Sequence, residues 1–194
     1  MKTAKRAHRM PGDPSKAAML DSMIRVDHAG EYGAVRIYEG QLAVLGKTSS
    51  NAGSRAGSHA DIEHMAEQER VHLQKFNELI RANRVRPTVL LPLWHMAGFA
   101  LGAGTALLGE KAAHACTVAV EEVIDEHYAE QVAALDLEED QTELRDTFEA
   151  FRLEELEHRE TALAHGAEQA PGYEVLKAAV KTGSKLAIWL SKKI

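Results

Sequence analysis

The chain is short of nearly everything that would make it other than helical. Its one cysteine, Cys116, rules out an internal disulfide and is compatible with a reducing compartment. Proline is scarce, at five residues in 194, and aromatics are 5% of the chain. Ala, Leu and Glu abound instead, a balance that suits helices over strands, so the expectation is an all-α protein. No Gly-x-Gly-x-x-Gly fingerprint occurs, so nucleotide binding is not readable from the residues. A net charge of -6 argues against a general nucleic-acid binder. The opening stretch has no apolar core, which predicts no secretory signal. It carries Lys2, Lys5, Arg6, Arg9 and Lys16 against Asp13, with Pro11, Gly12 and Pro14 among them, and reads as a flexible basic segment over 1–16. Residues 17–194, 45% hydrophobic across the chain, are enough for one domain with a substantial core.

What is present is a partial internal repeat. Glu31 opens EYGAVRIYEGQ, and Glu121 opens EEVIDEHYAEQ, with Tyr38 and Tyr128 seven residues on and Gln41 and Gln131 ten on. Seven residues are two helical turns, so Glu and Tyr share a face in both copies. Each copy is followed by a Glu-x-x-His pair, first Glu69 with His72 and then Glu155 with His158. Three-residue spacing puts carboxylate and imidazole on one helical face, where one ion could take both. A lone pair of this kind means little. The order Glu, ExxH, Glu, ExxH, however, is the inward-facing ligand set of a ferritin-like di-iron carboxylate bundle. Four carboxylates would offset the charge of two ferrous ions, and the two imidazoles complete an O/N set suited to iron or manganese. In that arrangement Glu69 and Glu155 bridge, Glu31 and His72 complete one metal, and Glu121 and His158 the other.

Rival groups lie nearby. Asp61 and His64 are also three apart, but stand where the second helix is expected to begin, so Asp61 reads as a cap. Glu122 lies about 100° round its helix from Glu121 and is expected to face solvent or a partner. His28, His127 and Tyr128 are placed to hydrogen-bond metal-bound groups or supply protons, although His127 also reads as a surface residue. Asp27 could orient a ligating imidazole, and Tyr38 and Tyr128 read equally well as core.

Along the chain, the pattern predicts helices over about 15–45, 60–83, 110–135 and 139–165, with Ser15 capping the first and Gly46 ending it. The Ser/Gly-rich KTSSNAGSRAGSH reads as a surface loop. From Leu90 to Gly109 only His95 and Thr105 are polar. A membrane crossing there would put the Glu31 and Glu121 halves on opposite sides of a bilayer, so it and the metal site exclude each other. The run reads instead as a helix lying in the interface or lining a lipid-sized pocket, with Trp94 as anchor, or as a buried bundle helix with a close Gly98–Gly102 contact. Pro171 suits the first turn of a last helix, whose Lys177, Lys181 and Lys185 stripe could meet anionic lipid or stay solvated.

The stretches RVDHAGEYGAVRIYEGQLAVLG, EQERVHLQKFNEL, HACTVAVEEVIDEHYAEQ and EELEHRETALAHGAE closely resemble the demethoxyubiquinone hydroxylases of ubiquinone biosynthesis, over about residues 20–194. All six ligand positions match that family in type and order, while the Ser/Gly loop is longer. The resemblance implies a di-iron monooxygenase with O2 as co-substrate, acting on a polyprenylated demethoxyubiquinone. It implies peripheral attachment to an inner membrane, either the cytoplasmic face of a bacterial membrane or the matrix face in mitochondria. It also implies electrons from NADH, relayed by His127 and Tyr128. Association with itself or with another ubiquinone-biosynthesis protein is left open. A ferritin-like iron store or ferroxidase would share the ligands but bind no lipid, and a non-catalytic membrane scaffold is a further alternative.

Overall fold

The computed structural model describes residues 11–48 and 54–194, and every regular element among them is helical. In order these are α1 (Lys16–Thr48), α2 (Ser54–Asn83), α3 (Leu91–Leu107), α4 (Glu110–Leu135), α5 (Thr142–Ala164) and α6 (Tyr173–Lys193), with a single 3-10 turn at Ala167–Gln169. Helices α1, α2, α4 and α5 form the four-helix bundle. The repeat is visible in the packing: α1 pairs with α2 and carries α3 on its outside, while α4 pairs with α5 and carries α6.

Local chemistry sets most boundaries. Ser15 Oγ accepts from Ala18 N–H at 3.2 Å, the expected cap. Gly46 does not end α1, which runs on to Thr48. The loop reading fails from Ser54 onward, where α2 already begins, and the intervening 49–53 lie outside the described residues, as does most of the basic segment. Lys16 belongs to α1 and pairs with Asp140 and Glu138. Pro171 precedes the last helix, which starts two residues later behind Gly172.

Hydrophobic burial holds the halves together. Phe76 of α2 packs with Tyr128, Leu135, Phe148 and Phe151 of α4 and α5 across the halves, while Tyr38, Ile62, Met65 and Ala66 form a second cluster within the α1–α2 pair. Burying each large side chain stabilises by roughly 1.5–3 kcal/mol. No helix among the described residues is long and apolar enough to cross a membrane. Helix α3 instead presses its small residues into α1: a Cβ on Gly102 would lie 1.9 Å from Ile37 O, one on Gly98 2.8 Å from Gly33 O, and one on Gly40 of α1 2.3 Å from Phe99 O. Only glycine allows this approach. The opposite face of α3 exposes Leu93 and Met96. The run is therefore both closely packed on one side and open on the other.

The basic stripe of α6 belongs to the fold. Lys177 and Lys181 both reach Glu122 (2.5 and 2.8 Å), and Lys185 reaches Glu126 (2.8 Å). Glu122 is thus half-buried and ion-paired to α6 rather than pointing freely into solvent, while Lys185 keeps more than half of its side chain exposed.

Candidate metal centre

The bundle interior brings all six predicted ligands together. Glu31 on α1, Glu69 and His72 on α2, Glu121 on α4, and Glu155 and His158 on α5 are all at least 95% buried. Their spacing within each helix turns them inward, and the pairing of α1 with α2 and of α4 with α5 closes the ring.

Two overlapping groups result. The potential ligand atoms of Glu31, Glu69, His72 and Glu155 lie within 4.8 Å of one another, as do those of Glu69, Glu121, Glu155 and His158. Glu69 and Glu155 are common to both. Glu155 offers Oε1 to His72 Nδ1 (3.2 Å) and Oε2 to His158 Nδ1 (3.1 Å). Glu69 offers Oε2 to His72 Nδ1 (3.9 Å) and Oε1 to His158 Nδ1 (3.3 Å). Each of these two shared carboxylates thus splits its oxygens between the two sides. Glu31 Oε2 completes the first side, 3.4 Å from His72 Nδ1.

These groups suit a pair of divalent ions. Both oxygens of Glu69, Glu155 Oε2, and Nδ1 of both imidazoles are buried without an aligned hydrogen-bond partner, an arrangement that is costly unless a cation satisfies them. Electrostatics points the same way. Burial, and then repulsion from Glu155, push the Glu69 and Glu121 carboxyls well above the usual range. Burial opposes a charged ring at His72, yet Glu155 and Glu31 beside it raise it to about 12. Burial likewise opposes ionisation of Glu155, but His158 and His72 bring it down to about 2. The cluster demands positive charge, as protons or as metal.

The surroundings are arranged crosswise. Tyr38 of α1 donates to Glu121 of α4 (3.0 Å), and Tyr128 of α4 donates to Glu31 of α1. Both tyrosines are buried, and burial raises their phenols well above the ordinary value, so they remain donors. They are core residues and ligand partners at once. The imidazoles are oriented in the same fashion: His72 Nε2 meets Glu154 Oε2 (3.0 Å), His158 Nε2 meets Gln68 Oε1 (3.1 Å), and Gln68 Nε2 donates to Glu154 (3.3 Å). Such partners fix ring orientation and tautomer. Sequence reasoning overlooked Gln68 and Glu154, although each directly precedes the glutamate of an ExxH pair.

Other expectations need correction. Asp27 does not orient a ligand; its Oδ1 meets His127 Nε2 and accepts from Gln131 Nε2, both at 3.0 Å. His127 is buried rather than superficial, and the ring it presents contacts Asp27, not a ligand. His28 meets Asn77 (3.2 Å). Asp61 lies within α2 and caps nothing, because that helix starts seven residues earlier.

Beside the centre, α1, α3, α4 and α6 line a half-open cavity of about 420 Å3, with Gly30, Ile37, Trp94, Leu101, Val120, Ile124 and Leu186 among its walls. It is almost wholly apolar, and Trp94 Nε1 donates to Ser191 Oγ (3.0 Å) at its edge. Gly30 and Val120 are the sequence neighbours of Glu31 and Glu121, so the cavity and the centre share α1 and α4 as a common wall.

Comparison with known proteins adds the family. A model of "Ubiquinone biosynthesis protein COQ7" matches residues 18–191. The 3-demethoxyubiquinol 3-hydroxylase of Rhodospirillum rubrum is 57% identical over 186 residues, 96% of this chain and 84% of that one. The mitochondrial NADPH-dependent 3-demethoxyubiquinone 3-hydroxylase of Homo sapiens is 53% identical over 192 residues, 97% and 84%. The mitochondrial 5-demethoxyubiquinone hydroxylase of Saccharomyces cerevisiae is 41% identical over 193 residues, 93% and 80%. The human protein's name carries NADPH where the resemblance implied NADH.

Proposed function

The chain belongs to the family of ubiquinone biosynthesis protein COQ7, and from that premise we propose that it hydroxylates the ring of a polyprenylated demethoxyubiquinone as a di-iron monooxygenase using O2. The observation that carries this reading is the sharing of Glu69 and Glu155 between two buried imidazoles. Glu31 and His72 would complete one iron, and Glu121 and His158 the other. Bound there, the iron pair would supply the redox chemistry that lets O2 add one atom to the ring, with two electrons from a reduced nicotinamide nucleotide and the second atom leaving as water.

The protein's own part is binding, orientation and exclusion of water. Glu154 and Gln68 hold the two rings with Nδ1 inward. Tyr128, hydrogen-bonded to Glu31, would hold or pass a proton at that carboxylate. His127 would take part in such a relay through Asp27, one turn before Glu31. The apolar cavity is of the size of ordinary ligand sites, roughly 300–1,000 Å3, and would accept the head of a prenylated quinone without demanding polar contacts. Its wall α3 exposes Leu93 and Met96, a surface suited to peripheral contact with the inner membrane from which such a substrate comes. A ferroxidase has no use for this cavity.

The test is restoration of ubiquinone in cells that accumulate the demethoxy precursor. The intact chain should restore it and His158→Ala should not. Failure of the intact, well-expressed chain would refute the reading, as would full restoration by His158→Ala.

A further inference from the structure

Two turns beyond the proposed iron ligands, the inward stripes of α4 and α5 continue. His114 stands seven residues before Glu121, and His165 seven after His158, roughly 10 Å along each helix. Glu110 is one turn before His114 on the same face. The potential ligand atoms of Glu110, His114 and His165 lie within 4.8 Å of one another.

A second observation points to a ligand. His114 is fully buried, and its Nδ1 has no hydrogen-bond partner. Its Nε2 is fixed by Ser58 Oγ at 2.7 Å. His165 repeats the pattern, with Nε2 2.7 Å from Asp61 Oδ2, which leaves its Nδ1 for another contact. An imidazole held through its outer nitrogen by a hydroxyl or carboxylate, with the inner nitrogen presented, is how metal-bound histidines are arranged. A purely structural pair would leave a buried nitrogen unsatisfied, which is unfavourable.

We propose that Glu110, His114 and His165 bind one divalent transition-metal ion of the zinc class, separate from the iron pair. Two imidazoles and a carboxylate form a set that Zn2+ or Co2+ accepts in tetrahedral geometry, with water in the fourth position. The rings stack at 4.7 Å with 13° between planes. Their lone pairs lie in those planes, so in-plane coordination requires one ring to turn. His165, 24% exposed, is the ring with room to pivot about its Nε2 contact with Asp61, whereas His114 is fully buried. The ion would fasten the first turn of α4 to the end of α5, and Ser58 and Asp61 would extend that hold to α2.

The experiment is Co2+ titration of the full-length, iron-loaded protein, read by visible d–d absorption and by elemental analysis after desalting. One Co2+ per chain beyond the iron should bind, with the intense visible band of a tetrahedral site. His165→Gln should bind Co2+ at least about tenfold more weakly and keep its iron. Should that variant not fold, Glu110→Gln, altered at a partly exposed first-turn position, answers the same question. Co2+ binding in a Glu155→Ala chain separates this site from the iron centre, because it should persist there. Absence of the extra equivalent in the intact protein, or unchanged Co2+ affinity in the folded variant, overturns the proposal.

Discussion

Replacing Gly102 with alanine tests whether the apposition of α1 and α3 is as tight as described. The added Cβ would lie 1.9 Å from Ile37 O, 2.7 Å from Ile37 C and 3.0 Å from Ile37 Cα. All three are backbone atoms, so no rotamer change relieves the clash. Ordinary contact begins near 3.4 Å, which obliges the helices to separate by about 1.5 Å. Overpacking of this kind costs up to about 3 kcal/mol, and the helix propensity gained from Gly to Ala returns about 1 kcal/mol. The net loss is about 2 kcal/mol, or a fall in Tm of roughly 4–8 °C for a chain of this length. Gly104, two residues on in the same helix, is the matched control, since nothing lies within 4 Å of its Cβ position. Gly104→Ala should raise Tm by roughly 2–4 °C through propensity alone. Thermal unfolding followed by circular dichroism at 222 nm, roughly the helical minimum, would separate the two variants. Equal midpoints for Gly102→Ala and the wild type would show that the helices do not meet as described.

Three further outcomes can be checked. Glu154→Ala, which removes the carboxylate behind His72 but no proposed ligand, should weaken iron retention about tenfold against a chelator, the lower end for outer partners because Glu154 is 40% exposed; unchanged retention would deny it an orienting role. Tyr128→Phe should destabilise the metal-depleted protein by about 1–3 kcal/mol in urea unfolding, since buried Glu31 loses its donor, and a shift within a few tenths would mean the bond contributes little. Burial works against ionised Glu122, but Lys177 and Lys181 overcome it and hold its carboxyl below the ordinary value. Its stabilisation is therefore complete above the unfolded value of about 4.5 and is lost as pH falls through the lower folded value. Glu122→Gln should accordingly lose stability at pH 7 and flatten the acid limb below pH 4.5; a limb as steep as the wild type's would assign the acid sensitivity elsewhere.

The centre was legible because its spacing is written twice. Glu31 and Glu121 share offsets to tyrosine and glutamine, and each ExxH pair fixes a helical face, so the six side chains that converge in the bundle could be read without coordinates. The start of α2 was hidden by composition: Ser and Gly favour loops locally, yet packing against α1 extends the helix through them. The fate of the lysine stripe was hidden for another reason. Whether Lys177 and Lys181 meet lipid, solvent or Glu122 depends on how α6 docks on α4, which periodicity within one helix does not encode. Asp61 was misjudged because its partner, His165, is 104 residues away.

The crossed contacts make each half of the chain the keeper of the other half's ligands. Two copies of one half, related by a dyad, could build the same frame, but symmetry would force both positions to be alike. Joining the halves covalently lifts that constraint. His72 rests on a carboxylate where His158 rests on an amide, and Gln131 reaches Asp27 where Gln41 reaches Thr117. The imidazole backed by negative charge is the stronger electron donor, so any ions seated there would be electronically inequivalent from the outset.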